Sequence, residues 1–217
     1  MKKNILSLIF SALMASGFTT SSNAFSLEGL GIGASLGTGG WYAIGEEKTD
    51  NIPTGVDNTK QSGAFQHDIM SVFVEYTAGP IRIGVDYFVD DITTPENTNI
   101  QGSTTNTVKA TFQNHTTAYI AMPIWGGLYA KVGGIYVDIK SEERLGTGGE
   151  YGNTDTTGYT AGLGFEKEIQ NGVSIRGELM ASTYEDVEVS NAKTTDISVK
   201  VTDMMGASGR VSLVKTF

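Results

Sequence analysis

From Leu30 onward the chain alternates with a period of two residues. Leu30, Ile32, Ala34, Leu36, Tyr42 and Ile44 share one parity, while Gly29, Gly31, Gly33, Ser35, Gly37 and Gly39 occupy the other. Successive side chains of a strand project to opposite faces, so the pattern predicts a strand with one apolar face and one nearly bare face. A second run sets Met70, Val72, Val74 and Tyr76 against Ser71, Phe73, Glu75 and Thr77, and a third sets Ile81, Ile83, Val85, Tyr87 and Val89 against Arg82, Gly84 and Asp86. In the fourth, Phe112, Ala118, Ile120 and Met122 oppose Gln113, His115, Thr117 and Tyr119. The fifth has Leu128, Ala130 and Val132 opposite Tyr129, Lys131 and Gly133. There the pair Gly133-Gly134 is expected to bulge and reverse parity, which turns Ile135, Val137 and Ile139 to the apolar face. The sixth opposes Tyr159, Ala161, Leu163 and Phe165 to Thr160, Gly162, Gly164 and Glu166; the seventh opposes Val173, Ile175 and Leu179 to Arg176 and Glu178. An eighth closes the chain, with Val211, Leu213 and Phe217 against Arg210, Ser212 and Thr216.

The connections alternate as well. Ala78-Gly79-Pro80, Pro123 to Gly127 and Gln170-Asn171-Gly172 have the composition of tight hairpin turns. Between them lie polar stretches of roughly twenty residues near 46–66, 91–110 and 140–157, and a shorter one near 184–196, a layout of short periplasmic turns and long extracellular loops. The expected fold is all-β: a closed antiparallel transmembrane barrel of eight strands. A soluble sheet with solvated charges on its outer face would share the alternation, but not the loop layout or the leader.

That leader begins with Lys2 and Lys3, continues through an apolar stretch from Ile5 to Phe18, and ends with small residues at Ser22-Asn23-Ala24 before Phe25. It reads as a cleavable export signal over residues 1–24, ahead of a barrel domain over 25–217, and is too short for a comfortable membrane-spanning helix. Its removal takes away two lysines and no acids, shifting the net charge from −9 to −11. So acidic a chain suits no nucleic acid, because phosphate binding needs a basic face. Cysteine is absent and histidine occurs twice, which excludes disulfides and thiolate chemistry and disfavours a zinc centre. No cofactor is expected.

Charge on the less apolar face is balanced. Glu75, Asp86, Glu166 and Glu178 supply four acids; Arg82, Lys131, Arg176 and Arg210 supply four bases. Inside a closed, water-poor lumen such charges must pair, so they are expected to form an ion-pair network that plugs the barrel. Eight strands leave an interior that side chains can just fill, and Phe73, Tyr119 and Tyr129 share it.

The segment from Gly209 to Phe217, with Val211, Leu213 and a terminal Phe217, resembles the closing strand of outer-membrane barrels. The stretch from Gly162 to Glu166, the Asn171-Gly172 turn, and Val173 to Leu179 resemble strands six and seven of the OmpA-type and opacity-type barrels. The resemblance implies an outer-membrane location, contact with membrane lipid and lipopolysaccharide, and recognition of the final strand by the barrel-assembly machinery. Lys215 departs from the pattern at a place where a snorkelling lysine is tolerable.

Catalytic signals are weak. A lipid-modifying hydrolase would need His and Ser facing lipid, whereas His115 and Thr117 fall on the lumen parity; His67-Asp68 resembles an Asp/His pair of an outer-membrane protease. Gly146, Gly148, Gly149 and Gly152 lack the helix and lysine of a phosphate cradle. The acids Glu46-Glu47, Glu142-Glu143 and Glu185-Asp186-Glu188 lie on the loop side, where they read as solvated charge or as holders of divalent cations between lipopolysaccharide phosphates. The chain is thus expected to be a non-enzymatic barrel supporting envelope integrity or surface contact. A small channel is the alternative reading, and a lipid-modifying hydrolase comes after it.

Overall fold

The computed structural model describes residues 28–49, 57–101, 104–146, 149–193 and 197–217; the leader at 1–24 and the start of the barrel domain at 25–27 lie outside them. Among the described residues eleven strands follow one another: β1 (Leu30–Thr49), β2 (Asp57–Ala78), β3 (Ile81–Phe88), β4 (Ile92–Thr93), β5 (Asn97–Gln101), β6 (Thr104–Trp125), β7 (Leu128–Leu145), β8 (Thr154–Gln170), β9 (Val173–Tyr184), β10 (Val187–Ser190) and β11 (Ile197–Thr216). Eight of them form an antiparallel ring in the order β1-β2-β3-β6-β7-β8-β9-β11, closed where β11 returns to β1. The seam runs from Gly31 opposite Thr216 to Thr49 opposite Ile197, and Ser35 and Ser212 share a hydrogen bond across it at 2.8 Å. Closure leaves the ring no free edge, the condition for strands to sit in lipid. The three short strands are continuations: β4 and β5 pair with β6 beyond β3, and β10 pairs with β11 beyond β9.

At one end the strands meet in tight turns. Asn171 and Gly172 have φ of 49° and 73°, the pair of positive values that a two-residue hairpin requires. At the other end the strands run on. The stretches expected as loops near 46–66, 91–110 and 140–157 are largely paired: β1 and β2 stay in register to Thr49 opposite Asp57, and β5 and β6 to Gln101 opposite Thr104. Beyond a membrane no face need be apolar, so these extensions lose the alternation that marks the strands below, and only their threonines hint at sheet.

The apolar parity faces outward. Leu36, Leu179 and Val211 are each more than 60% exposed, and the exposed aromatics Tyr76, Trp125, Phe165 and Phe217 gather toward the short turns. Further along, Tyr87 donates to Asn114 and Tyr136 to Asp138, the posture of rings with an apolar body and a wet tip at a membrane surface.

Two bulges change what points inward. The ladders of β7 run unbroken through Gly133-Gly134, so the parity reversal expected there does not occur. A Cβ on Gly133 would sit 2.6 Å from the Ala118 carbonyl and 2.9 Å from the Thr117 methyl, so close packing against β6 explains the glycine. Ile135 and Val137 therefore face the lumen, both nearly fully buried, in place of the outward orientation expected. The bulge lies in β6, between Gln113 and Thr116, where Asn114 has φ 54°. It brings Phe112 to the lumen side, against Phe65 at 6.5 Å, where the alternation alone had placed it outside. A second irregularity, at Asp203 (φ 52°), turns Met204 inward beside the seam.

Candidate functional site

The lumen has two storeys. Toward the short turns it holds all eight charged side chains expected there, from β2, β3, β7, β8, β9 and β11, so six strands contribute to one interior. Arg176, 2% exposed, grips Glu75 on the opposite wall with both arms of its guanidinium, Nη2 to Oε1 at 2.7 Å and Nη1 to Oε2 at 3.0 Å. Its Nη2 also reaches Glu166 at 3.0 Å, and Glu166 in turn pairs with Arg82. Above this group, Arg210 bonds Asp86 at 2.6 Å and Glu178 at 3.0 Å, while Lys131 holds Glu178 at 3.0 Å. Arg210 also donates to Ser71 at 3.3 Å. Planar, bidentate arginine pairing suits this role, because a fork–fork contact fixes geometry as well as charge.

Tyr119 and Tyr129, legible in the sequence as lumen residues, do more than fill space. Tyr119 donates to Glu75 at 2.7 Å and Tyr129 to Glu178 at 2.8 Å, while Lys131 lies 3.9 Å from the Tyr119 ring centre and Arg82 4.4 Å from that of Tyr129. Each carboxylate thus receives hydrogen bonds from a phenol and from cations, and the cations rest on the rings that carry those phenols. Four acids against four bases leave the cluster neutral, so little uncompensated charge has to be kept in a region of low dielectric.

Small residues make room for the rings. A Cβ on Gly164 would stand 2.1 Å from the Tyr129 ring, and one on Gly33 2.2 Å from that of Phe73. Gly164→Ala is expected to push Tyr129 off Glu178 and destabilise the barrel by about 1–3 kcal/mol, the usual cost of overpacking. Gly177→Ala, with nothing within 4 Å of the new methyl, should be close to neutral. Heat-dependent mobility shift on gels checks both, and equal midpoints would contradict the packing described.

The other storey is apolar. Ile69, Phe88 and Ile92 form a buried cluster with Trp41, Phe65 and Phe112 packed against it, and the Trp41 and Phe65 rings stack at 5.7 Å. The alternation assigned this end of the lumen no such residues, although Trp41 shares the parity of Gly37 and Gly39, and Phe65 and Ile69 that of Phe73. Arg210, 5.9 Å from the Phe88 ring centre, marks where the two storeys meet.

The residues weighed for catalysis do not assemble. His115 is buried, stacked on Phe88 at 4.1 Å with Nε2 3.1 Å from the Tyr184 hydroxyl. His67 and Asp68 are consecutive in β2 and so project to opposite faces of the wall. Of the acids beyond the membrane, Glu46, Glu142 and Asp186 each contact a lysine: Lys60 at 3.0 Å, Lys109 at 3.3 Å and Lys200 at 3.1 Å. Among the described residues no three His, Asp or Glu converge as metal ligands. In the closing strand Val211, Leu213 and Phe217 face outward, and Lys215 turns its Nζ to the Asn171 carbonyl at 2.6 Å, covering the last turn.

The family model of the outer membrane protein beta-barrel domain matches residues 10–202. No curated protein matches the chain. Among solved structures, the outer membrane protein OprG from Pseudomonas aeruginosa is similar over 88% of this chain and 97% of its own, at 11% identity and a TM-score of 0.53. Neisserial surface protein A aligns over 88% of this chain and 98% of its own at 12% identity, TM-score 0.40. The outer membrane protease OmpT from Escherichia coli aligns over 92% and 99% at 7% identity, TM-score 0.45. At such identities the likeness to OprG is one of fold.

Proposed function

Since the chain belongs to the outer membrane protein β-barrel domain family and its barrel sits in the outer membrane, we propose that it acts there as a non-catalytic, closed barrel that holds a rigid sheet out from the cell for surface contact. The tight turns then face the periplasm and the strand extensions face outward. The observation that carries this reading is the contrast between the two regions. The membrane-level lumen is filled by paired charges and aromatic rings, whereas β1, β2, β5, β6, β7 and β8 continue hydrogen-bonded well past the apolar band. A channel would need the opposite arrangement, an open interior. An enzyme would need a nucleophile or base presented to substrate, and the buried His115 is held between a phenol and a phenyl ring.

Polar sheet projecting in register is a different object from a set of loose loops. Its lysine–carboxylate contacts are surface pairs worth at most about 1 kcal/mol each, so its order rests on backbone pairing. Contact with an outside partner then costs little ordering entropy, which favours affinity.

Trimming tests the role. Thr94 N–H bonds to the Ala110 carbonyl at 2.9 Å, so residues 95–109 can be replaced by Asn-Gly without opening the ring. In cells lacking the native chain, the trimmed barrel should reach the outer membrane at normal abundance yet fail to restore attachment of cells to one another and to solid surfaces. Full restoration by the trimmed barrel would remove the contact role.

A further inference from the structure

Beyond the membrane the wall parts along one line. β3 accompanies β2 from Ala78 up to Ser71, and Val89 N–H adds one bond to the Met70 carbonyl at 2.8 Å. Past that point β4 and β5 follow β6, and among the described residues neither pairs with β2. β2 itself stays in unbroken register with β1 as far as Asp57. Backbone groups of a strand point alternately to its two sides. The Met70 carbonyl points away from β1, so the N–H and C=O of Lys60, Ser62, Ala64, Gln66 and Asp68 do too. These five residues are exposed and form an unpaired edge. Across from it stands β5, itself paired on one side. A bond from Asn97 Nδ2 to Gln61 Oε1 at 3.2 Å crosses the gap, a link through two exposed amide side chains. Paired strands would instead lie backbone to backbone about 4.8 Å apart. The far side of the mouth is joined by backbone: Tyr151 bridges Asn191, and Ala192 N–H bonds the Glu150 carbonyl at 2.7 Å.

We propose that this gap captures an extended segment of a partner protein, which pairs as a strand with β2 and with β5. An unpaired edge is a template for a further strand, and two facing edges answer both rows of an incoming backbone. The surroundings select the side chains of that segment. Toward the lumen the gap has an apolar floor, where Phe65 stacks on Trp41 at 5.7 Å and on Phe112 at 6.5 Å beside buried Ile69 and Ile92. Toward the outside its rim is acidic. Asp68, Asp90 and Glu96 are exposed along it, while Lys60 is engaged by Glu46 at 3.0 Å. Side chains alternate along a strand, so the segment alternates apolar residues, which cover the rings, with lysine or arginine, which meet the acids. A small apolar molecule would leave both edges unanswered, and a polycation without alternation would leave the rings bare. This inference rests on the surface-contact role, whose partner it names by chemistry.

Amide hydrogen exchange of the full chain in phosphatidylcholine nanodiscs tests it, with a nine-residue probe that alternates five lysines with two valines and two isoleucines. Without the probe, the amides of Ser62, Ala64 and Gln66 should exchange fast and those of Gly63, Phe65 and His67 slowly, because the latter bond β1. Probe should slow the first set by at least about tenfold along a saturating curve. A peptide of the same composition in block order should bind at least about tenfold more weakly. Ala64→Pro removes one free-edge donor and no bond to β1, so it should fold normally yet weaken the probe by about fivefold or more. Even-numbered amides already protected without the probe, no protection with it, or equal binding of the block-order peptide would overturn the proposal. Should Ala64→Pro fail to fold, the exchange pattern and the two peptides on the native sequence decide alone. The two readings fail separately: absent protection removes this partner and leaves the contact role, whereas full attachment by the trimmed barrel removes the role and leaves peptide capture.

Discussion

Arg176→Ala is expected to lower the unfolding midpoint of the barrel more than any other single truncation in the lumen, by about 3–5 kcal/mol in stability. Arg176 hydrogen-bonds both Glu75 and Glu166, at 2.7 and 3.0 Å, and it crosses from β9 to the facing wall at β2. Its removal leaves Glu75, itself almost fully buried, with Tyr119 and only a distant Arg82 at 3.7 Å. Most of the loss therefore comes from a carboxylate stranded in low dielectric, not from the missing attraction. The double variant Glu75→Gln/Arg176→Met removes both charges while keeping volume and leaves Tyr119 a carbonyl to donate to. It should recover most of the lost stability. Heat-dependent gel mobility, or urea titration of the folded band, reads both variants; a double variant no better than Arg176→Ala would show that the two side chains are not coupled.

Depth along one strand sets the second large effect. Leu163 and Thr157 share the outward parity of β8, but Leu163 lies within the apolar band while Thr157 lies past Tyr159, toward the outside. A midplane arginine on the lipid face costs roughly 2–4 kcal/mol, against about 0–1 near an interface. Leu163→Arg should therefore reduce the folded, membrane-inserted fraction sharply and Thr157→Arg hardly at all. Folding into vesicles, scored by the heat-modifiable band, compares them. Equal losses would mean that the apolar band is misplaced on the barrel.

What was legible in the sequence divides by physical environment. Within the membrane, lipid demands one apolar face and closure demands alternation, so Leu30 to Leu36, Ile81 to Val85 and Tyr159 to Phe165 could be oriented residue by residue. The ionic cluster was legible for the same reason, since charges on the inward parity have nowhere else to go. Which acid meets which base was not, because Glu75 and Arg176 face one another across the lumen and no local pattern reports that pairing. The extensions escaped notice because water on both faces erases the alternation. The bulge was misplaced from Asn114 in β6 to Gly133-Gly134 in β7. Glycine pairs suggest bulges, but here Gly133 is needed for close packing, and the left-handed position fell to an asparagine, whose short polar side chain tolerates it. That single shift hid the apolar storey, since it sent Phe112, Ile135 and Val137 to the wrong side of the wall.

Closure of the lumen is the claim on which the rest depends, and conductance across a planar bilayer measures it directly. The purified full chain should give no sustained single-channel steps in 1 M KCl, and Arg176→Ala, which opens the ionic storey but leaves the apolar one, should add at most brief, small events. Stable, ohmic openings by the native sequence would contradict a plugged barrel and make it a channel.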